Sequence, residues 1–514
     1  MTPLPEPLES PVPPVPSSEP VPKAVADEGH WQRLHPLTPL VRGWKVLAAA
    51  LVILGQQQGP ELYRHGLPGR TEALIALGAI AVAVLVGGVY VWLAWQRAEY
   101  RVDGDALQMR TGVLFRSERQ ARLDRLQAVD LVRPILARIF GLAELKLEVA
   151  GGGDSAVRLS LLPEDEAQAL RNTLLARAAG VRYSGPHAPE APEREVVAVP
   201  VGRTIEATLR SGSTIAVVLL AVGLVVLSVV VRSPAPLFGL APGLLGLGAA
   251  MWQKFSSLFG FRVALSPDGI RLHHGLLTTR AQTVPPGRVQ AVRLAQPLLW
   301  RSKDWWRVEV NVAGYGGGRR KDENAAQENL LLAVGTRAQA LEVLALAMPL
   351  LRLAPSDGLP DVLRVEKDST APGASVDEGA EWLRALQAGL TGTGTDGGFT
   401  ASPRSSRWLD PIGWRRHGVL VGPAALLARR GVLVRELDVV PHARTQSLGL
   451  RQGPLQRRLG LATFALHSTQ GPVSPSVRHL PGADAAALLR EQATRARTAR
   501  ADRAAEGDGR WMVR

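Results

Sequence analysis

The sequence predicts an α+β protein with membrane helices: two transmembrane helical hairpins and three copies of a small β-barrel or curved-sheet module, each capped by a C-terminal helix. Two observations carry this. A unit beginning at a glycine occurs three times, at Gly112-Val113-Leu114, Gly275-Leu276-Leu277 and Gly431-Val432-Leu433, and each glycine is followed thirteen positions later by Arg-x-Gln. The motifs are Arg125-Leu126-Gln127, Arg288-Val289-Gln290 and Arg444-Thr445-Gln446. A fixed offset repeated in this way marks one domain copied. Two of the units also follow long uncharged stretches, so apolar hairpins alternate with the module.

The elements follow in chain order. Residues 1–30 hold nine prolines and a single basic residue, Lys23, which reads as a disordered Pro-rich tail without the basic start and apolar core of a signal peptide. Three uncharged segments, 73–95, 211–231 and 233–253, are long enough to cross a bilayer core of ~30 Å. A shorter one, 46–58, spans if Gly43 and Trp44 join it and Lys45 snorkels. Near the span ends ten Lys/Arg lie on one side and three, Arg64, Arg70 and Arg232, on the other. The positive-inside rule then places both termini and all three modules in the cytoplasm of a multi-pass cell-membrane protein.

The expected division is a tail (1–30), hairpin one (38–96), module one (97–180), a linker (181–207), hairpin two (208–253), module two (254–353), a flexible linker (354–406), module three (407–500) and a basic tail (501–514). Within the modules, Leu145, Leu147 and Val149 alternate with Lys146 and Glu148, and Val308, Val310 and Val312 with Arg307, Glu309 and Asn311. This period of two puts one face of a strand in a core and the other in water. Helical runs at 164–178, 336–353 and 483–503 close the copies, and the third module reads as tethered, because 354–406 is Gly- and Ser-rich around a short helix near 378–390.

The run Val440-Pro441-His442-Ala443-Arg444-Thr445-Gln446-Ser447, followed by Gly453-Pro454-Leu455-Gln456-Arg457-Arg458-Leu459-Gly460, resembles the bacterial pleckstrin-homology-like (PH-like) domains of YdbT-type membrane proteins. The first copy carries a looser version through Phe140-Gly141-Leu142-Ala143, and the second replaces that element with 302–306. The resemblance implies a PH-like fold in each module, held at a membrane.

Chemistry is bounded by what the chain lacks. With no cysteine it has no disulfides, thiolate metal sites or cysteine nucleophile. The glycines at 314–318 precede Arg319-Arg320-Lys321 without the ending of a phosphate-binding loop, and the adjacent His273 and His274 point to opposite faces of a strand. The expectation is a non-catalytic membrane scaffold without cofactors, binding membrane lipids and a membrane or cytoplasmic protein. Gly239 and Gly243, four apart, leave homo-oligomerisation open. The alternative is a transport or lipid-handling component, against which the spans lack ionisable residues. The excess of 60 Lys/Arg over 46 Asp/Glu also admits nucleic acid, but nothing else in the chain supports that partner. Arg125, Gln127, Arg288, Gln290, Arg444 and Gln446 are the candidate binding or repeat-signature residues; Arg and Gln two apart on a strand share a face and could grip an anion, whereas a structural role would have Arg bond backbone carbonyls.

Overall fold

The computed structural model describes residues 31–33, 35–36, 38, 70–103, 106–112, 116–122, 126–149, 157–178, 193–233, 235–266, 269–284, 286–313, 329–349 and 376–506. The Pro-rich tail, the short apolar segment at 46–58 and Arg125 lie outside these residues.

Helix α1 (Arg70–Gln96) runs almost directly into the first module. Strands β1 (Gln32–Arg33), β2 (Glu99–Asp103), β3 (Ala106–Thr111) and β4 (Ser117–Arg122) form an antiparallel sheet in that order. Strands β5 (Leu126–Pro134), β6 (Leu142–Val149) and β7 (Val157–Pro163) form the second half of the module, with helix α2 (Ile135–Ile139) between β5 and β6 and helix α3 (Glu164–Ala178) closing it. Leu145 and Leu147 of β6 join Leu107, Met109, Val129, Leu131, Leu159 and Leu174 in one core, but the alternating Lys146 and Glu148, expected in water, are buried as well and pair with each other at 2.8 Å.

The next copy starts at β8 (Arg194–Ala198), inside the segment expected to be a linker, because β8 pairs with β9 across the inserted hairpin; it is interrupted by helices α4 (Val201–Leu209), α5 (Gly212–Val230) and α6 (Ala235–Leu258), and resumes with β9 (Arg262–Ser266), β10 (Gly269–His274) and β11 (Thr278–Val284). Its second half is β12 (Val289–Pro297), β13 (Trp305–Val312), β14 (Leu330–Thr336) and helix α7 (Arg337–Ala347). Thr336 caps α7 with a reciprocal capping box through Gln339.

Helix α8 (Val376–Thr391) precedes the third copy, which comprises β15 (Thr400–Ala401), β16 (Gly418–Val421), β17 (Ala425–Arg430) and β18 (Val434–Pro441). Its second half is β19 (Ser447–Arg451), helix α9 (Pro454–Arg458), β20 (Leu461–His467), β21 (Ser476–Pro481) and helix α10 (Gly482–Glu506).

The sheets do not stop at module limits. One seven-stranded sheet runs β7-β6-β5-β11-β10-β9-β8, and another runs β14-β13-β12-β18-β17-β16-β15. The second half of each module therefore hydrogen-bonds, edge to edge, to the first half of the next. Among the described residues, only the two outer half-modules, β1–β4 and β19–β21, form sheets of their own.

Over 376–406 the reading of a flexible linker is corrected by this arrangement, and 354–375 lie outside the described residues. Trp382, Ala385, Leu386 and Leu390 of α8, together with Phe399, enter the same core as Leu437 and Val439 of β18 and Val292 and Leu294 of β12. Residues four apart on a helix share a face, and here that face covers the sheet. Two buried arginines hold the end of α8: Arg416 donates to the carbonyls of Gly389 at 3.0 Å, Leu390 at 2.5 Å and Gly392, and Arg429 to those of Ala388 at 3.2 Å and Gly394. They satisfy carbonyls that a helix C-terminus leaves without partners. The third module is docked on the second through β12–β18 pairing.

The apolar segments expected to span a membrane form α1, α5 and α6. Among the described residues one helix, α5, is long and apolar enough to cross a membrane. It packs on α6, while Leu219, Val229 and Val230 of α5 and Leu245 and Trp252 of α6 are exposed. A helix that turns large apolar residues outward around most of its circumference is not the core helix of a water-soluble domain.

Candidate functional site at the module junctions

The signature glycine is a steric requirement. Gly112, Gly275 and Gly431 have φ of +117°, +113° and +81°, a region that side chains disfavour. A Cβ would stand 1.9 Å from the Thr278 carbonyl oxygen at Gly275 and 2.0 Å from that of Val434 at Gly431. In each copy the glycine turns the chain from one strand of the first half-module into the next.

In module two this turn grips the end of α6. Gly275 N–H donates to the Phe259 carbonyl at 2.8 Å, Leu276 N–H to that of Ser256 at 2.8 Å, and Leu277 N–H to the Ser256 hydroxyl at 3.3 Å. His274 lies 2.7 Å from the Ser257 carbonyl through Nδ1 and stacks on Phe261 at 5.3 Å. A carbonyl only accepts, so Nδ1 carries the proton. Burial pushes the imidazole down to about 4, which keeps it neutral at pH 7. The long apolar hairpin is thereby fixed to the sheet by main-chain bonds.

Both junctions have one geometry. At the first, Pro134 lies opposite Thr278 and Leu131 opposite Ala281; at the second, Pro297 lies opposite Val434 and Leu294 opposite Leu437. Each proline is nine residues after its motif arginine, and each partner three residues after its signature glycine. Thirteen residues after the motif arginine comes another arginine that crosses to the glycine turn of the next module: Arg138 reaches the Leu276 carbonyl at 3.4 Å, and Arg301 donates to that of Val432.

The second junction adds a buried polar network. Arg293 donates through Nε to Asp438 Oδ1 at 2.6 Å and through Nη2 to Oδ2 at 3.2 Å, and its Nη1 reaches the Pro472 carbonyl at 2.9 Å. Burial works to lower the Arg293 pKa, but the charge and hydrogen bonds of Asp438 outweigh it and leave the guanidinium raised. Asn311 Nδ2 donates to the Val473 carbonyl at 2.6 Å while Val473 N–H returns a bond to Oδ1 at 2.9 Å.

The Arg-x-Gln residues sit beside these joints. Arg288 ends a 3-10 turn, Pro286–Arg288, and the buried Gln290 donates to the Arg288 carbonyl at 3.1 Å. Arg444 ends the equivalent turn, His442–Arg444, and donates to the Gly287 carbonyl, so the motif turns of modules two and three meet. Gln446 is exposed, and its N–H bonds the His467 carbonyl at 3.0 Å. Gln127 lies on β5. Arg288 and Arg444 thus occupy turns ahead of β12 and β19 and do not lie on the strands themselves.

A polar cleft of about 470 Å³ opens at the first junction beside the end of α6, lined by Arg133, Glu193, Arg262, His273, His274 and Arg280 among others. Its charges are largely matched from within. Glu193 holds Arg271 at 2.5 Å and His273 at 3.2 Å, and Arg133 pairs with Glu164. Burial raises the Glu193 carboxyl, but its bonds and charge contacts with Arg271 and His273 leave it lowered. Among the described residues no group of three or more His, Asp or Glu is placed to hold a metal ion.

Fold and junctions together define a class: three repeated sheet-and-helix modules, joined edge to edge and fixed to a long apolar helical hairpin. The family described as "Bacterial PH domain" matches at 49–178, 203–346 and 399–496, which covers most of the chain, and the protein belongs to that family. It is similar to the UPF0699 transmembrane protein YdbT of Bacillus subtilis (strain 168), at 30% identity over 109 residues. That match covers 20% of this chain and 21% of the relative's length. No solved structure matches.

Proposed function

We propose that the protein is a polytopic cytoplasmic-membrane scaffold: two hairpins, 38–96 and 208–253, carry an array of three PH-like modules on the cytoplasmic face, and the array binds partner proteins or lipid headgroups without catalysis or cofactor. One observation carries the reading. Both module junctions are continuous β-ladders, and the glycine turn of the middle module is bonded to the end of α6, so the array is held as a unit against the apolar hairpin. Binding is expected on the array's outer faces, because the junction charges are already paired. The name of the YdbT relative and the placement of basic residues around the apolar segments support the membrane setting.

The native chain lacks cysteine, so labelling has no background. Single cysteines at Thr71 and Ser233 are expected to react with an impermeant thiol reagent added outside intact cells, and Gln470→Cys only after lysis. Outside labelling at Gln470→Cys would reverse the orientation. Transport or lipid turnover by the reconstituted chain would replace the scaffold with the lipid-handling alternative.

A further inference from the structure

The chain uses one joint twice and leaves its two halves open at the ends. At each internal junction the strand after the motif arginine, β5 or β12, receives the strand after the next module's signature glycine, β11 or β18. Strand β19 is the third copy of the first half of the joint, and among the described residues its only strand neighbour is β20. Strand β4 is the third copy of the other half, and its only strand neighbour there is β3.

The side chains of the open end match those of the closed joints. Leu450 stands six residues after the motif arginine, where the junctions place Leu131 and Leu294. Those two are 2% and 0% exposed, whereas Leu450 is 41% exposed. Arg457, on α9, stands thirteen residues after the motif arginine, in the position of Arg138 and Arg301, which bond the next module's glycine turn. It is exposed and has no side-chain partner among the described residues. On the other edge, Gly112 has a φ of +117°, close to the +113° of Gly275. Strand β4 carries three charged residues, Glu118, Arg119 and Arg122, against the one, Arg280, on β11, which pairs at the first junction.

We propose that a second copy of this chain docks head to tail, with its β4 edge added to β19 of the first, so that the module array continues from molecule to molecule. The inference rests on sheet topology and stands apart from the scaffold reading. Strand addition supplies affinity through main-chain hydrogen bonds, and charged residues on an open edge limit unwanted pairing. A head-to-tail contact repeats, and it closes into a ring or runs on as an open row. The shared register puts Ser117 of one copy opposite Arg451 of the other. These positions correspond to Arg280 opposite Val132 and Glu436 opposite Ala295 in the internal joints.

The test uses full-length chains in liposomes. Directly opposed residues on antiparallel strands have Cβ atoms about 5 Å apart, within reach of a disulfide after modest adjustment. S117C and R451C chains, mixed and mildly oxidised, are expected to form a disulfide-linked dimer, and the S117C/R451C double variant a ladder of multimers. Adding Arg457→Glu to the R451C chain is expected to reduce the cross-linked yield at least tenfold. The proposal is overturned if both thiols react fully with maleimide yet no dimer forms. It is also overturned if E118C cross-links to R451C as well as S117C does, or if S117C chains cross-link mainly to one another.

Discussion

Gly275 and His274 are neighbours with opposite demands, one for the absence of a side chain and one for a neutral ring. The glycine was legible in the sequence because its φ of +113° and the 1.9 Å approach of a would-be Cβ to the Thr278 oxygen tolerate no other residue, so it recurs in every copy. His274 was not legible, because nothing in the His273-His274 pair shows which ring is buried. Its pH dependence has a definite sign. The folded-state value of about 4 lies below the ordinary value of 6.5, so the unfolded chain takes up the proton first. The stabilisation is complete above pH 6.5 and is lost as pH falls towards 4, by on the order of 3 kcal/mol at 1.36 kcal/mol per unit. His417, His442 and His479, also lowered by burial, act in the same direction. Thermal melts between pH 7 and pH 4 are expected to show a steep acid loss that is shallower in His274→Gln. An unchanged slope in that variant would mean that the ring is not buried in neutral form.

At the scale of elements, the strands showed themselves through alternation and their partners did not. The Val308, Val310, Val312 pattern reports which face of β13 enters the core, but it does not show that Trp305 and Asn311 on the other face are buried too, and a period of two carries no label for the neighbouring strand. Charge complementarity was the available signal: Arg293 and Asp438, 145 residues apart in sequence, are directly opposed on β12 and β18. Helix α8 was visible as a short helix near 378–390, and Trp382, Leu386 and Leu390 at four-residue spacing already marked a face that needed cover. The Gly- and Ser-rich surroundings masked that demand. Breaking the buried pair is expected to cost more than replacing it. Asp438→Asn leaves the Arg293 guanidinium without its main counter-charge, a loss of about 3 kcal/mol, while Arg293→Met combined with Asp438→Leu is expected to recover most of it. Amide exchange along β12 and β18 reads the effect locally, and a single variant no less stable than the double would show that the pair does not hold the joint.

Across the whole molecule, the offset of thirteen residues revealed three copies, but copy number alone leaves their relation open. Beads on a linker and a fused array have the same repeats. The structure selects the array, because each second half-module would otherwise present β5 or β12 as an open edge, and strand edges carry main-chain groups that pair with whatever strand is offered. Burial of Leu131 and Leu294 at these edges adds about 1.5–3 kcal/mol each relative to exposure. The most direct measurement is an intramolecular disulfide across the second junction in the otherwise cysteine-free chain. Gln296 and Arg435 are directly opposed on β12 and β18. In full-length protein in liposomes, Gln296→Cys with Arg435→Cys is expected to close within one chain under mild oxidation, at a yield independent of protein concentration. The decisive comparison is with Gln296→Cys and Glu436→Cys, one residue out of register. Preferential closure of the Gln296–Arg435 pair is the predicted result, and equal or preferential closure of the shifted pair, or no closure when both thiols alkylate freely in the native chain, would contradict a continuous array.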